Sequence, residues 1–369
     1  MISIDAVIED ILKKDLFTKE DLVYLLSANE KESVKIFEKA QQVKKEFVGK
    51  KVYFRGLIEY SNNCSKNCFY CGIRAGNKNQ KRYQLTNEEV IDAAMYAYKN
   101  NFASIVIQSG ERGNKKFINT IEYLLKEISR LTKKKLHVTL SLGEQSEETY
   151  QSWFDAGAQR YLLRIETSNP ELYKRIHPDN RHHSYENRLE NLKLLRKVGY
   201  MVGTGVMIGL PFQKIEDMAD DLSFFRDFDI DMVGMGPYIE HKDTPLYLYK
   251  DELLPLQERL ELSLKMVAIL RIIMKDINIA ATTAMQTIDP RGREKALLAG
   301  ANVMMPNITP LRYKQSYLLY NNKPGTEDDA EEGKLVMEQN IHNAGDEIGY
   351  GEWGDPRHFL VKNEELIKN

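Results

Sequence analysis

The feature that most constrains the fold of this chain is a regular alternation of short apolar segments with longer amphipathic ones, which begins near position 51. Eight short segments rich in apolar or β-branched residues are predicted as strands: residues 52–60, 104–108, 136–141, 161–165, 201–208, 232–235, 279–283 and 302–305. Amphipathic helical segments separate most of them, and this alternation is typical of parallel α/β sheets. We therefore predict an α/β fold of the (β/α)8 TIM-barrel type, with a doubly wound sheet as the alternative.

The segments that flank this alternating region have a different character. Residues 1–50 have a helical pattern, in which Thr18 and Asp21 form a potential capping box. The chain after Tyr320 is polar and contains glycine. We expect three parts: an N-terminal helical cap over residues 1–50, the barrel over 51–320, and a C-terminal extension over 321–369 that packs on the barrel.

The composition excludes several classes of protein. Hydrophobic residues make up 42% of the chain, charged residues make up 29%, and the net charge is −2, so no basic excess favours nucleic-acid binding. No apolar stretch approaches the roughly 18 residues that a membrane helix needs, and the first residues do not resemble a secretory signal. We expect a cytoplasmic protein that binds neither nucleic acid nor a membrane.

The cysteines form one compact motif. Only three are present, Cys64, Cys68 and Cys71, and their spacing is CxxxCxxC. Three clustered thiols indicate a metal site in a reducing compartment rather than a disulfide framework. Three thiolates satisfy three irons of a cubane cluster and leave the fourth iron open to a chelating small molecule, whereas an electron-transfer cluster normally has four thiolates. The alternative is a zinc site completed by a histidine from outside the loop.

The motif and its surroundings resemble a known superfamily. CxxxCxxC with an aromatic residue, Tyr70, before the last cysteine is the hallmark of the radical S-adenosylmethionine (SAM) superfamily. Further segments resemble the HydE family of [FeFe]-hydrogenase maturases, in the group that also contains biotin synthase and methylornithine synthase. They extend over most of the chain: 54–64 (FRGLIEYSNNC), 108–111 (QSGE), 138–144 (VTLSLGE), 160–167 (RYLLRIET), 207–211 (MIGLP), 232–237 (MVGMGP), 281–285 (ATTAM) and 305–307 (MPN).

The resemblance implies cofactors and the residues that hold them. It implies one [4Fe-4S] cluster on Cys64, Cys68 and Cys71, which cleaves SAM reductively to a 5'-deoxyadenosyl radical. It also implies a SAM site formed by Tyr70, Gln108, Ser109, Glu166 and Arg188, in which Arg188 pairs with the SAM carboxylate. Because the chain has no cysteine after Cys71, a second thiolate-bound cluster is not expected. This argues against biotin synthase, which uses such a cluster as its sulfur source.

A second set of residues is expected to line a substrate cavity inside the barrel: Arg55, Thr139, Arg160, Arg164, Thr282, Thr283, Tyr317 and Tyr320. Arg160 and Arg164 lie four residues apart, so on one strand they would share a face, and Tyr317 and Tyr320 would share a helix face. Buried arginines require an anion. We expect that anion to be the substrate, and the alternative is a buried pair with Glu59, Glu144 or Glu166.

The implied function is assembly of the hydrogenase active-site cluster. The resemblance implies a small organometallic substrate, a cysteine-ligated iron carbonyl–cyanide complex made by the maturase HydG, and a product that moves toward the maturase HydF. A reducing electron donor is also implied. One alternative is a radical SAM mutase that acts on an amino acid, like methylornithine synthase. Another is a metal-binding scaffold without turnover.

Overall fold

The computed structural model describes residues 4–368 and has the predicted α/β architecture. Its strands are β1 (Lys51–Phe54), β2 (Gly56–Ser61), β3 (Ser104–Ser109), β4 (His137–Ser141), β5 (Ala158–Leu162), β6 (Met201–Thr204), β7 (Met207–Ile208), β8 (Met232–Val233), β9 (Gly236–Pro237), β10 (Asn278–Ile279), β11 (Val303–Met304) and β12 (Glu347–Ile348). Its helices are α1 (Ile4–Leu12), α2 (Lys19–Ser27), α3 (Glu30–Phe47), α4 (Asn87–Lys99), α5 (Lys115–Leu131), α6 (Glu147–Asp155), α7 (Pro170–Ile176), α8 (Tyr185–Val198), α9 (Ile215–Asp227), α10 (Leu256–Ile273), α11 (Thr283–Ile288), α12 (Gly292–Leu298), α13 (Leu311–Lys314), α14 (Ala330–Asn343) and α15 (Arg357–Lys368), with 3-10 helices at Arg181–His183 and Pro245–Glu252.

The strands form a closed parallel barrel. Seven of them pair in the order β10-β8-β6-β5-β4-β3-β2. The eighth position is β11, which pairs in parallel with β1, and Arg55 N donates to Met304 O at 2.9 Å. On its other side, Ala281 N donates to Val303 O at 2.9 Å just after β10 ends. The carboxyl ends of all these strands therefore open onto one mouth, where catalytic groups gather in barrels of this type.

The helices bury their apolar faces against the outside of the sheet. In α5, five side chains at helical spacing are buried: Phe117, Ile121, Leu124, Leu125 and Ile128. Each contributes about 1.5–3 kcal/mol by burial. The capping box predicted at Thr18 is confirmed, because Thr18 Oγ1 accepts from Asp21 N at 3.2 Å and Asp21 Oδ2 accepts from Thr18 N at 3.0 Å. Of the helices before β1, α2 packs on α9, and α3 packs on α10.

Two expectations about local structure are wrong. The strand predicted at 161–165 ends at Leu162, because Ile165 N donates to the Thr204 hydroxyl at 3.1 Å instead of to a ladder carbonyl. Arg160 therefore lies in β5 while Arg164 lies beyond it, and the two do not share one strand face. Tyr317 and Tyr320 do not lie on a helix, because α13 ends at Lys314 and the next residues cross the mouth as irregular chain.

The chain after α14 covers the opposite, amino-terminal end of the barrel. β12 pairs with the start of β1, and the segment 349–355 then crosses beneath the strands. Trp353 stacks on His137 with ring centroids 3.8 Å apart. Asp355 forms an ion pair with Arg160 at 2.5 Å. The barrel is thus closed below and open above, at the cysteine loop.

Candidate functional site

The cysteine loop leaves β2 at the mouth and is held by its own side chains. Arg82 makes most of these contacts. Its Nη1 donates to the carbonyls of Asn62 and Ile73 at 2.6 and 2.7 Å. Its Nη2 donates to those of Arg74 and Asn77 at 2.6 and 3.0 Å. Arg82 therefore fixes the shape of the loop, and all four of its acceptors are backbone carbonyl oxygens.

A second chain segment lies across the loop. Asn62 Nδ2 donates to Ser316 O at 2.5 Å, and Gly72 N donates to Leu319 O at 2.9 Å. Tyr317, between these contacts, is buried and accepts from Gln108 Nε2 at 3.3 Å. The irregular course of residues 315–320 therefore results from tertiary contacts with the cysteine loop.

The three thiols lie together and partly buried at the centre of the mouth. Burial raises the pKa values of Cys64 and Cys71 and raises that of Cys68 to about 12, and the neighbouring thiols add to the shift in Cys68 and Cys71. Within residues 4–368, no set of three or more His, Cys, Asp or Glu is grouped to hold a single metal ion. The influence of each thiol on the pKa of its neighbours shows that the three lie near one another.

Gly110, which follows the end of β3, allows the backbone there to lie very close to the cysteine loop. A Cβ on Gly110 would lie 2.5 Å from Asn63 O and 2.8 Å from Cys64 Cβ, so only glycine fits there. The neighbouring Ser109 uses its hydroxyl locally, since it donates to Ser61 O and to Gly110 O at 3.2 and 2.8 Å. The segment 108–111 therefore meets the loop through its backbone, and the Ser109 hydroxyl has backbone partners.

Tyr70 is positioned by a histidine that the sequence analysis missed. His177 is buried, and burial lowers its pKa to about 3, so the ring is neutral. Its Nδ1 lies 2.9 Å from Tyr173 O and donates to it, and its Nε2 accepts from the Tyr70 hydroxyl at 3.1 Å. The sequence gives no signal for this contact, because residues 70 and 177 lie on different loops.

Arg188 lies in a network of two cations and two carboxylates. Its Nε donates to Glu144 Oε1 at 2.6 Å, and Nη1 donates to Arg164 O at 2.6 Å. Lys66, inside the cysteine motif, lies 2.9 Å from Glu144 and 3.1 Å from Glu111. Burial raises the pKa of Glu111, whereas Arg188 and Lys66 outweigh burial and lower that of Glu144. Sequence reasoning missed Lys66 as a site residue.

Glu166 has an unusual backbone. Its φ is +68°, a left-handed conformation that costs a non-glycine residue about 1–3 kcal/mol. It is held there because Glu166 N donates to Gly205 O at 2.9 Å and Met207 N donates to Glu166 O at 3.1 Å. Strain of this kind at the mouth motivates a functional role for its carboxylate.

The two arginines of the expected cationic cavity both have carboxylate partners. Arg164 Nε lies 3.0 Å from both oxygens of Glu166, so the alternative of a pair with Glu166 applies to Arg164, although its side chain is 29% exposed. Arg160 is fully buried and bonds Thr139, Ser104 and Asp355. The expectation of two cations that only a substrate neutralises is therefore wrong, because the strand-end glutamate and the C-terminal segment supply the counter-charges.

The remaining cavity residues divide between two levels of the barrel. Arg55 is buried near the amino-terminal end of the barrel. It donates hydrogen bonds to Met232 Sδ at 3.0 Å and Gly354 O at 3.2 Å. Near the mouth, Thr282 Oγ1 donates to Met235 O at 3.1 Å, and Thr283 Oγ1 accepts from Arg293 at 2.8 Å. Tyr320 lies near Thr287 and Arg293. The predicted residues thus surround one interior without meeting at one point.

Comparison with known proteins decides the family. The family model of the radical SAM superfamily matches residues 58–225, which include the cysteine loop and the strands around it. The [FeFe] hydrogenase maturase subunit HydE of Thermotoga maritima is 47% identical over 313 residues, which cover 85% of this chain and 86% of the relative.

The chain belongs to the HydE family of radical SAM enzymes.

Solved structures support the fold of this HydE-family chain. The maturase HydG from Carboxydothermus hydrogenoformans has a TM-score of 0.79 at 18% identity and is matched over 97% of this chain and 82% of its own. A crystal structure of methylornithine synthase has a TM-score of 0.78 at 22% identity, over 94% of this chain and 98% of its own. At these identities the likeness shows the shared TIM-like barrel alone.

Membership of the radical SAM superfamily implies a [4Fe-4S] cluster and SAM. The HydE-family residues fit these groups: three neighbouring thiols offer soft donors, and the glycine at 110 keeps the space beside Cys64 clear. In the part of the chain that the structure describes, no helix is both long and apolar enough to cross a membrane.

Proposed function

We propose that this chain acts in maturation of the [FeFe]-hydrogenase, and that it acts on a cysteine-ligated iron carbonyl–cyanide complex. The observation that carries the proposal is the 47% identity to the HydE maturase over 85% of the chain. A cluster held by Cys64, Cys68 and Cys71 would supply the electron that cleaves SAM to methionine and a 5'-deoxyadenosyl radical, and this radical would act at the cysteine sulfur of the substrate.

The residues at the mouth have distinct roles in holding SAM. The guanidinium of Arg188 binds the SAM carboxylate, since a planar fork matches a planar acid. Glu166 accepts a hydrogen bond from the SAM amino group or ribose. The backbone at Gln108 and Ser109 approaches the amino group, and Tyr70, held by His177, packs beside the cluster. The network around Arg188 supports this role because Lys66 keeps Glu144 compensated when Arg188 turns to the ligand.

The interior below the mouth receives the substrate. Thr282, Thr283, Tyr317 and Tyr320 offer hydroxyl groups. Arg55 offers a buried guanidinium whose described hydrogen bonds go to neutral groups. Burial and the neighbouring Arg160 lower the pKa of Arg55 well below its usual value, so its cationic form gains from an anion in a low-dielectric site. Arg160 and Thr139, bonded to each other at 3.1 Å, form the floor.

Reconstituted protein in a defined maturation system tests the function. With HydG, HydF, SAM, a reductant and apo-hydrogenase, we expect hydrogenase activity that depends on this chain. SAM cleavage should accelerate when the cysteine-ligated iron complex is added. Acceleration by lysine alone would identify an amino-acid mutase instead, and reduced protein that leaves SAM intact would identify a scaffold without turnover.

A further inference from the structure

The loops around the cysteines are strongly basic in a chain whose net charge is only −2. Residues 62–83 contain no Asp or Glu, and their cations are Lys66, Arg74, Lys78, Lys81 and Arg82. The adjoining loop adds Arg112 and the exposed Lys115 and Lys116. We call Arg74, Lys78, Lys81, Arg82, Arg112, Lys115 and Lys116 the basic rim. Its charge contrasts with the near-neutral balance of the whole molecule.

The basic rim borders an opening that reaches the cysteines from outside the barrel. A surface cavity of about 560 Å³ is lined by Cys64 itself, with Arg82 and Arg112 on its walls. A second cavity of about 550 Å³ adjoins it, since both are lined by Ser65 and Gly113. Cys64 is therefore the cluster ligand nearest to the outer surface on this side.

Within residues 4–368, no ion pair joins a cation of the basic rim to a carboxylate. Arg82 donates to four backbone carbonyls, and Arg112 donates to Gln84 Oε1 at 3.0 Å. Among the ion pairs of the described residues, none involves Lys115 or Lys116. The nearby carboxylate of Glu111 is already paired with Lys66. The rim therefore presents net positive charge to the solvent.

Local stability does not explain the two exposed lysines. Lys115 and Lys116 are the first two residues of α5, which has no acidic residue in its first turn. Cations at a helix N-terminus oppose the helix dipole, so each of these lysines is locally unfavourable. Their position beside the opening at Cys64 suggests a role in binding.

We propose that the basic rim is the docking surface for a small acidic protein that carries one low-potential electron. The inference rests on the proposed radical SAM function, which requires a reduced cluster. One electron leaves the partner's redox centre, which is oxidised, and enters the cluster beside Cys64, with no bond made and no proton moved. Complementary charge steers such an encounter, and a transient electron-transfer interface needs only a small area.

The test reverses the charge of the two helix-start lysines. In reconstituted holoenzyme we compare Lys115→Glu/Lys116→Glu with a control of equal charge change, Lys31→Glu/Lys45→Glu. The control lysines are exposed on α3, which leads into the amino-terminal end of the barrel. Glutamate suits the first turn of α5, so the test variant should fold. Lys115→Ala/Lys116→Ala provides a milder second variant.

The probe is a reduced acidic ferredoxin, and the readout is the rate of cluster reduction by stopped-flow absorbance. At low ionic strength the reversal should slow reduction by at least about tenfold, the alanine variant should be intermediate, and the control should match the parent. The deficit should shrink as salt rises. SAM cleavage driven by dithionite should be unchanged in all variants.

Three results would overturn the proposal: an unchanged ferredoxin rate, an equal loss in the control, or a deficit that salt does not relieve. Normal ferredoxin reduction with impaired hydrogenase activation would assign the rim to another maturation partner instead. Cluster reduction is measured without any maturation substrate. Failure of the proposed maturation function therefore leaves this test intact, and the two failures can be told apart.

Discussion

Charged residues at the barrel mouth compensate one another before any ligand arrives. Arg188 and Lys66 pair with the carboxylate of Glu144, and Arg164 pairs with the carboxylate of Glu166. Such networks keep buried charges from being left alone, which is expensive in a protein interior. Each group can then exchange a protein partner for a ligand without losing all of its compensation. A substitution that tests this region should therefore remove one charged residue and leave its former partner a second residue of opposite charge.

The cysteine ligands give the first prediction. Anaerobically reconstituted protein should bind about four irons, and Cys64→Ala, Cys68→Ala or Cys71→Ala should each abolish the cluster, because each thiolate binds a different iron. Iron analysis and the visible absorption of the cluster are the measurements. One tightly held zinc with no iron–sulfur absorption would contradict this assignment.

The second prediction concerns SAM affinity. Arg188→Ala should weaken SAM binding by about 1.5–3 kcal/mol, the usual loss for a hydrogen bond to a charged group. Glu144 keeps Lys66 as a partner, so the fold should persist. Arg196→Ala, on the same helix but bonded to Asp229 O at 2.6 Å, is the matched control. Equal SAM affinity in the Arg188 variant and the parent, measured by calorimetry, would show that the site lies elsewhere.

The elements of the C-terminal extension complete the barrel rather than simply cover it. The segment 349–355 supplies Gly354 O to Arg55 and Asp355 to Arg160. Lys323, at the other end of the barrel, forms a buried ion pair with Glu59 of β2. Polar groups that point into the barrel therefore take their partners from chain that follows the eighth strand. This segment and the strands are energetically coupled through those pairs.

The third prediction follows from the Arg160–Asp355 pair. Arg160→Met should lower the free energy of unfolding by about 3–5 kcal/mol, because it leaves a largely buried carboxylate without its partner. Adding Asp355→Asn should recover part of that loss. The control is Arg130→Met, which breaks an exposed pair with Glu127 and should change the value by less than about 1 kcal/mol. Urea denaturation measures all four proteins. If Arg160→Met leaves the free energy of unfolding unchanged, this would contradict the coupling between the extension and the barrel.

The whole molecule is a barrel that carries the three cysteines at its upper end and is sealed at its lower end. Helix α15 completes the lower seal, where His358 lies between Asp229, 2.6 Å from Nε2, and Asp276, 3.0 Å from Nδ1. Lys362 adds a contact to Asp229 at 2.7 Å. A closed floor leaves the mouth as the route to the interior, which suits chemistry that must exclude water and side reactions.

The fourth prediction is a pH dependence of global stability. Hydrogen bonds and charges from Asp276 and Asp229 raise the pKa of His358. The folded state therefore holds this proton more tightly than the unfolded state. The contribution is fully present below the unfolded pKa of about 6.5 and is lost as the pH rises through the folded value. Over that window, the free energy of unfolding of the parent should fall more steeply than that of His358→Gln. Parallel pH profiles for the two proteins would contradict the assignment.

The sequence by itself determined the strand–helix alternation, the helix start at Thr18 and the cysteine motif. These depend on local spacing: periodicity selects the element, and a side chain three residues away completes a cap. The resemblance carried by the sequence implied Gln108, Glu166 and Arg188 as residues of the SAM site, and these roles stay predictions.

Only the tertiary structure decided which charges meet. The ends of short strands depend on cross-strand bonds, so the sequence misplaced β5 and with it the relation of Arg160 to Arg164. Asp355 and His177 lie 195 and 107 residues from the partners they contact, and no local pattern encodes such pairs. Their positions follow from how the closed barrel brings distant loops and the C-terminal segment together, since burial obliges each charge to find a partner.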